Sequence, residues 1–432
     1  MRIAIIGSGI SGNMAAYLLS KNHHVTIFEK RDRPGGHSAT VDITLDNGLS
    51  LPVDTGFIVY NQANYPGLTQ LFAELGVETQ PSDMSFGFSQ NDGQLEWSGQ
   101  SLAAVFGQKL NMFRPRFWQM LRDIFRFNAQ AREVYESGKL PEISLGQWLN
   151  IHNYSKAFTS LYLYPMAAAI WSSPSAKIAA FPAGNLIQFF YNHRLIDRDR
   201  PKWRTVVGGS RNYVSKLIDT VASNGGQLVL NADIEKLSRS HHGVEIIDRG
   251  QMHHFDKVIF ATHTDQALAL LGDEASEAER RVLSAIRYLP NQVYLHRDES
   301  LMPQRPNVWS SWNYMAAQKD DPEAANTVFV SYWMNRLQQL PTRTPLIVTL
   351  NPSRPPLEDA TYFQTSYDHP QFDAAAIRAQ KQLPYIQGVK NTYFCGAWTG
   401  YGFHEDGLRS AVDVCRALDV DWEYRDLKLA AE

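Results

Sequence analysis

Apolar positions near the start of the chain change their period twice. Residues 2–6 form a short apolar run closed by glycines at 7, 9 and 12, which predicts a strand and a tight turn. Residues 13–21 place Met14, Ala15, Leu18 and Leu19 on one face at helical spacing, and 24–29 return as a second strand ending at Glu29. Strand, turn, helix and strand in this order predict a β-α-β unit, because parallel strands need a crossover between them.

Later segments predict more of the same sheet. Residues 227–247 read as a hairpin around His241, His242 and Gly243, and 255–261 as a strand ending in Thr262-His263-Thr264. Residues 391–395 read as a buried strand, 396–407 as a glycine-rich loop and 408–418 as a helix. The expected architecture is α/β, with a Rossmann-type nucleotide domain drawn from 1–77, 200–271 and 383–432. The stretches 78–199 and 272–382, rich in Trp, Tyr, Phe and Pro, are expected to form an interleaved α+β substrate domain.

Composition narrows the function classes. The 432 residues exceed what one core usually serves, and a net charge of −3 offers no global attraction to nucleic acid, so no nucleic-acid partner is expected. Any basic surface must be local. Two cysteines, Cys395 and Cys415, leave no disulfide framework, and metal-ligand spacing is absent. The glycines break the apolar start, which therefore lacks the continuous run of a signal peptide, and no window reaches the ~18 apolar residues of a spanning helix. A cytoplasmic location is expected, with peripheral attachment to the inner membrane surface left open.

Gly7-Ser8-Gly9-Ile10-Ser11-Gly12 matches G-x-G-x-x-G. Gly7 permits the tight turn, Gly9 lets backbone approach a pyrophosphate, and Gly12 lets helix and strand pack closely. Ser11 lies in the glycine turn that leads into the helix, whose N-terminal N–H groups favour an anion. Glu29 ends the second strand, where a carboxylate can accept hydrogen bonds from a ribose diol. This much serves NAD as well as FAD.

The next residues, Glu29-Lys30-Arg31-Asp32-Arg33-Pro34-Gly35-Gly36-His37-Ser38, resemble the extended signature of the FAD-containing amine oxidase and phytoene desaturase superfamily. The resemblance implies that Lys30, Gly35 and Gly36 lie along FAD. His37 stands where many members carry Arg, which implies a weaker phosphate contact there or one supplied by Ser38 or Arg31 instead. Val53-Asp54-Thr55-Gly56-Phe57-Ile58 resembles the family's next element and implies that Thr55 and Gly56 pass the isoalloxazine. Ile234, in Asn231-Ala232-Asp233-Ile234, is the implied adenine contact. Gly396, Ala397, Asp406, Gly407 and Leu408 resemble the last FAD motif. Ala397 departs from the acidic residue usual there, and no cysteine is placed for attachment, so noncovalent FAD is implied.

A narrower resemblance links Gly35-Gly36-His37-Ser38, Asp54-Thr55-Gly56-Phe57-Ile58-Val59-Tyr60-Asn61, residues 203–210 and His404-Glu405-Asp406-Gly407 to the flavoproteins associated with cyclopropane-fatty-acid synthases. It implies dehydrogenation of a long acyl chain or lipid, with a lipid-modifying synthase as a partner. A flavin amine oxidase and a flavin-binding accessory protein are the alternatives. Tyr401, His404 and Glu405, on the loop expected beside the flavin, are the catalytic candidates; His404 reads as a general base or as a loop histidine that orders backbone. The aromatic run 186–193, including His193, lines an acyl tunnel or packs the core. Residues 109–127 interleave Lys109, Arg114, Arg116, Arg122 and Arg126 with Met112, Phe113, Trp118, Phe125 and Phe127. This pattern predicts a basic amphipathic helix, lying in a membrane interface or packed with a solvated basic edge.

Overall fold

A computed structural model of the chain describes residues 1–197, 201–316 and 328–423. The expected junction at 199/200 and residues 424–432 of the last expected segment lie outside the described residues. The strand β1 (Arg2–Ile6), the helix α1 (Ile10–Leu19) and the strand β2 (His24–Phe28) build the predicted unit. β1 lies at the centre of a five-stranded parallel sheet ordered Gln227–Val229, β2, β1, Lys257–Phe260 and Thr392–Phe394. Its side chains alternate between two cores. Ile3 and Ile5 pack with α1 and the helices Arg211–Ser223 and His404–Ala417, whereas Ala4 and Ile6 pack with the antiparallel sheet Ile234–Ser240, Gly243–Asp248 and Gln251–Phe255. A strand covered on both faces needs a continuous apolar run, which residues 3–6 supply.

Four element boundaries differ from expectation. α1 begins at Ile10 instead of residue 13, and the C-terminal helix begins at His404 instead of 408, so glycine-containing segments expected as loop form first helical turns. Residues 227–247 divide, with Gln227–Val229 joining the parallel sheet and only the remainder forming the hairpin about residues 241 and 242. Phe255 ends a strand of the antiparallel sheet, leaving Lys257–Phe260 as the parallel strand.

A seven-stranded mixed sheet stands apart from the parallel one. Its order is Thr361–Gln371, Arg287–His296, Ile347–Leu350, Val330–Trp333, Trp312–Ala316, Phe86–Gln90 and Leu95–Ser98. Phe88, Trp97, Tyr314 and Val330 pack against helices that include Pro115–Glu136, Tyr164–Trp171 and Ala183–Asn192. Val293, Leu295, Val348 and Leu350 pack instead against Ile43, Leu51 and Val53 of the hairpin Thr40–Thr44 and Ser50–Asp54.

The expected continuous helix over 109–127 is broken. Lys109–Phe113 forms a 3₁₀ turn, Arg114 is extended at φ −97° and ψ 109°, and a long helix Pro115–Glu136 follows. Pro115 causes the break, because its ring disfavours helical backbone in the preceding residue and it has no N–H to continue the ladder.

Candidate functional site

The glycine turn uses its three glycines differently. A Cβ on Gly12 would sit 1.9 Å from the Gly7 carbonyl oxygen, so its absence lets α1 close against the end of β1. Gly7 has a φ of +100°, which only glycine adopts without strain. Gly9 is open: a Cβ there would meet no atom within 4 Å, and the residue lines a cavity of about 840 Å³. At the same cavity, α1 begins with no side-chain cap and no acidic residue in its first turn. Its orphan N–H groups and positive dipole end are thus available to an anion.

The second glycine pair is fastened onto this turn. Gly35 N–H donates to the Ser8 carbonyl at 2.9 Å, and a Cβ on Gly36 would lie 3.1 Å from the Gly9 Cα. Glu29 Oε2 accepts from Ser8 N–H at 3.0 Å and from Ser8 Oγ at 2.5 Å, while Oε1 accepts from Arg31 N–H. The carboxylate therefore orders both glycine segments as well as lining the cavity beside Lys30, Ala232, Asp233 and Ile234.

Thr55 and Gly56 line the cavity farther along. A Cβ on Gly56 would lie 2.1 Å from the His37 carbonyl oxygen, so these two segments touch backbone to backbone. Behind them Asp54 is buried, accepting from Thr40 Oγ1, from Ser210 N–H and Oγ, and from Gln338 Nε2. Burial raises its carboxyl to about 6.

The C-terminal helix completes the wall. Gly396 and Ala397 line the cavity. A Cβ on Gly407 would fall 2.8 Å from both Ile10 Cγ2 and Ser11 Oγ, so the first turns of α1 and of His404–Ala417 lie against each other. Asp406 Oδ2 accepts from the N–H groups of Tyr401 and Phe403, which shapes the loop leading into the helix. Of the proposed cofactor residues, Gly7, Gly9, Ser11, Glu29, Lys30, Gly35, Gly36, His37, Thr55, Gly56, Ile234, Gly396 and Ala397 line the cavity. Gly12, Ser38, Asp406, Gly407 and Leu408 stand behind it as supports, Leu408 being fully buried in the core.

The three catalytic candidates separate. His404 lines the cavity, its ring stacked on Phe57 at 3.8 Å between centroids and its Nε2 3.0 Å from Ser38 Oγ, which in turn bonds the Tyr213 hydroxyl. Burial lowers its pKa to about 3, so the ring is neutral and a weak base. Tyr401 and Glu405 are absent from the lining. The Tyr401 hydroxyl donates to Gln188 Oε1 at 3.2 Å, and the Glu405 carboxylate accepts from Gly67 and Leu68 N–H at the start of the helix Pro66–Glu74.

The profile of the flavin-containing amine oxidoreductase family matches residues 10–344, most of the chain. This chain belongs to that family. A candidate flavin-containing monoamine oxidase of Mycobacterium tuberculosis, AofH, is 25% identical over 267 residues, covering 58% of this chain. The chain spans only 54% of that relative's length. A candidate protoporphyrinogen oxidase from Exiguobacterium shares the fold at a TM-score of 0.68 and 13% identity, over 97% of this chain and 98% of that one. A CLA-producing fatty acid isomerase from P. acnes does so at 0.67 and 16% identity, over 96% and 98%.

Membership in this flavin family makes the cofactor FAD. The residues present fit it: Gly9 leaves its cradle open, the first turn of α1 is uncapped, and Glu29 stands at the end of β2. Sequence reasoning missed a group of imidazoles in the same cavity. His37 lies 6.0 Å from His263, 5.6 Å from His369 and 4.9 Å from Tyr367, ring to ring. Burial first, and then the neighbouring imidazoles His369 and His263, hold His37 well below the usual range. Burial likewise lowers His369 to about 4 and lowers His263, against the pull of Asp265 and Asp368. His263 carried a signal, since it follows a parallel strand adjacent to β1 at the carboxyl edge where such sheets bind ligands. His369 had none.

Much of the remaining lining is apolar or aromatic, with Tyr65, Phe86, Met166, Ile170, Phe189, Trp312 and Tyr332 contributing to it, while Ser172, Gln266 and Ser366 add polar groups. Among the lining residues the carboxylates are Glu29, Asp233 and Asp368. The first two border the glycine turn and the third adjoins His369. Phe189 and His193 come from the helix Ala183–Asn192 and its cap, and their rings stack at 3.8 Å. Burial lowers His193 to about 4. Leu186 and Phe190 of the same aromatic run turn into the core.

Proposed function

We propose that this flavin oxidoreductase removes a hydride and a proton from adjacent carbons of a long hydrophobic acyl chain. The observation that carries the reading is the single cavity in which the nucleotide cradle runs into an aromatic and aliphatic chamber. An acyl chain gains by burial there, at roughly 0.8 kcal/mol per CH₂. Among the described lining residues beyond the glycine turn, Asp368 beside His369 is the one carboxylate an ammonium group could meet, and burying such a group unpaired is costly. When bound, the flavin supplies the hydride acceptor. The chain contributes a water-poor chamber, a neutral imidazole fixed between Phe57 and Ser38, and the positive end of the helix His404–Ala417. The fold shared with a fatty acid isomerase supports an acyl substrate.

The similarity to a monoamine oxidase candidate supports a second reading, oxidation of an apolar amine. Anaerobic mixing distinguishes the two. Bleaching of the oxidised flavin spectrum by unsaturated, methyl-branched or cyclopropane fatty acids or their phospholipids is the expected result. An oxidised spectrum that persists with all of these, together with peroxide release from amines, would replace the first reading with the second.

A further inference from the structure

The seven-stranded sheet and its helices carry a surface that neither the cavity nor the cofactor uses. From Trp97 to Arg122 the sequence has no acidic residue and four basic ones, Lys109, Arg114, Arg116 and Arg122, within a chain whose net charge is −3. In the same stretch and just beyond it, Leu102, Leu110, Phe113, Trp118 and Phe125 are each more than half exposed. Scattered exposed apolar residues are ordinary, but a contiguous group is not.

These residues form one face. The Trp118 indole N–H donates to the Met112 carbonyl at 2.8 Å, and its ring lies 5.4 Å from Phe106, which ties the long helix to the 3₁₀ turn and to the short helix Leu102–Val105. Arg122 and Phe125 follow Trp118 at helical spacings of four and seven, so they share its side of the helix. The opposite side, Phe117, Met120 and Phe127, is fully buried. Asp123, the first acid reached, faces inward to Arg126 and to Ser155 N–H, and among the described residues no ion pair neutralises Lys109, Arg116 or Arg122. The break at Pro115 matters here, because it ends the 3₁₀ segment that carries Leu110 and Phe113 before the long helix begins, and the Trp118–Met112 hydrogen bond holds that segment against the helix.

We propose that this face docks on an anionic lipid bilayer, with Leu110, Phe113 and Trp118 entering the interface and Lys109, Arg116 and Arg122 meeting the head groups. Apolar burial and electrostatic attraction each contribute, as in interfacial amphipathic helices. The docking stands apart from the acyl-chain reading, since it requires no turnover.

The test is flotation of the FAD-loaded full chain with vesicles of phosphatidylcholine, with and without phosphatidylglycerol. The expected result is binding to the anionic vesicles, weakening as salt rises. It should fall roughly tenfold or more in Arg116→Glu/Arg122→Glu and in Leu110→Asp/Phe113→Asp. Retained flavin absorbance and an unchanged unfolding midpoint show that these surface variants are folded. Equal binding to both vesicle types, binding to neither, or variants that bind like the parent would overturn the proposal. So would a concentration-dependent dimer that Phe113→Asp dissociates, since a second copy would then cover the face.

Discussion

His404 and Phe57, from opposite ends of the flavin signature, stack ring on ring at 3.8 Å with 22° between planes. The stack leaves one ring nitrogen on Ser38 Oγ and the imidazole neutral, at about 3. A residue so weakly basic positions its neighbours instead of storing protons. His404→Phe should therefore keep the flavin and hold turnover of the best acyl substrate within about tenfold of the parent. A general base would cost about 10²–10⁴. Steady-state rates with a flavin spectrum of the same sample decide between them.

Gly9 and Gly12 should respond oppositely to the same added methyl group. Gly9→Ala leaves the apoprotein's thermal midpoint nearly unchanged, since its Cβ meets no protein atom, but it intrudes on the cradle and weakens FAD binding roughly tenfold. Gly12→Ala drives a Cβ to 1.9 Å from a carbonyl oxygen and should destabilise the fold by about 3 kcal/mol or more. Calorimetry of both apoproteins and fluorescence titration with FAD would measure the two effects separately.

The imidazoles of His37, His263 and His369 make FAD affinity depend on pH. Burial lowers all three, so they are neutral without cofactor near neutral pH. A pyrophosphate close by favours their charged forms, so binding takes up protons and affinity rises as pH falls. The other charged groups that face the cluster are Arg31, Asp265 and Asp368. Kd from flavin fluorescence should tighten several-fold between about pH 8 and 6. The slope should flatten in His37→Gln and His263→Gln; an equal slope in those variants would refute the linkage.

Glu405 gives a stability trend of known sign. Burial raises its carboxyl from 4.5 to about 7. A carboxyl raised by folding contributes stability that is full below 4.5 and is lost as pH climbs through 7, because only the unfolded chain ionises freely over that interval. Glu405→Gln lacks this loss. Its urea midpoint minus the parent's should rise from pH 4.5 to 7 and then stay level; a difference that falls or stays constant over that interval would contradict the assignment.

Much of the nucleotide domain was legible because period and glycine spacing act locally: β1, the turn and β2 follow from them directly. The helix starts were misplaced for one reason. Gly12 and Gly407 are poor helix formers and read as loop, yet both occupy first turns where neighbouring atoms leave no room for a Cβ. The histidine group was illegible because its rings come from three distant segments that only the tertiary fold brings within 6.0 Å. Tyr401 and Glu405 looked exposed to substrate by their loop position, but Gln188 and the amides of Gly67 and Leu68 claim them. Nothing in the local pattern names those partners.

The packing of α1 on the C-terminal helix also sets the order of biosynthetic events. Cys415 Sγ reaches the Ala15 carbonyl at 3.8 Å across 400 residues of chain, and Gly407 touches Ile10 and Ser11 beside it. A nascent chain that has released α1 but not this helix holds half a cradle, with the apolar face of α1 uncovered. The full cradle thus exists only once the last helix of the described chain has packed on α1, which makes cofactor loading a late event.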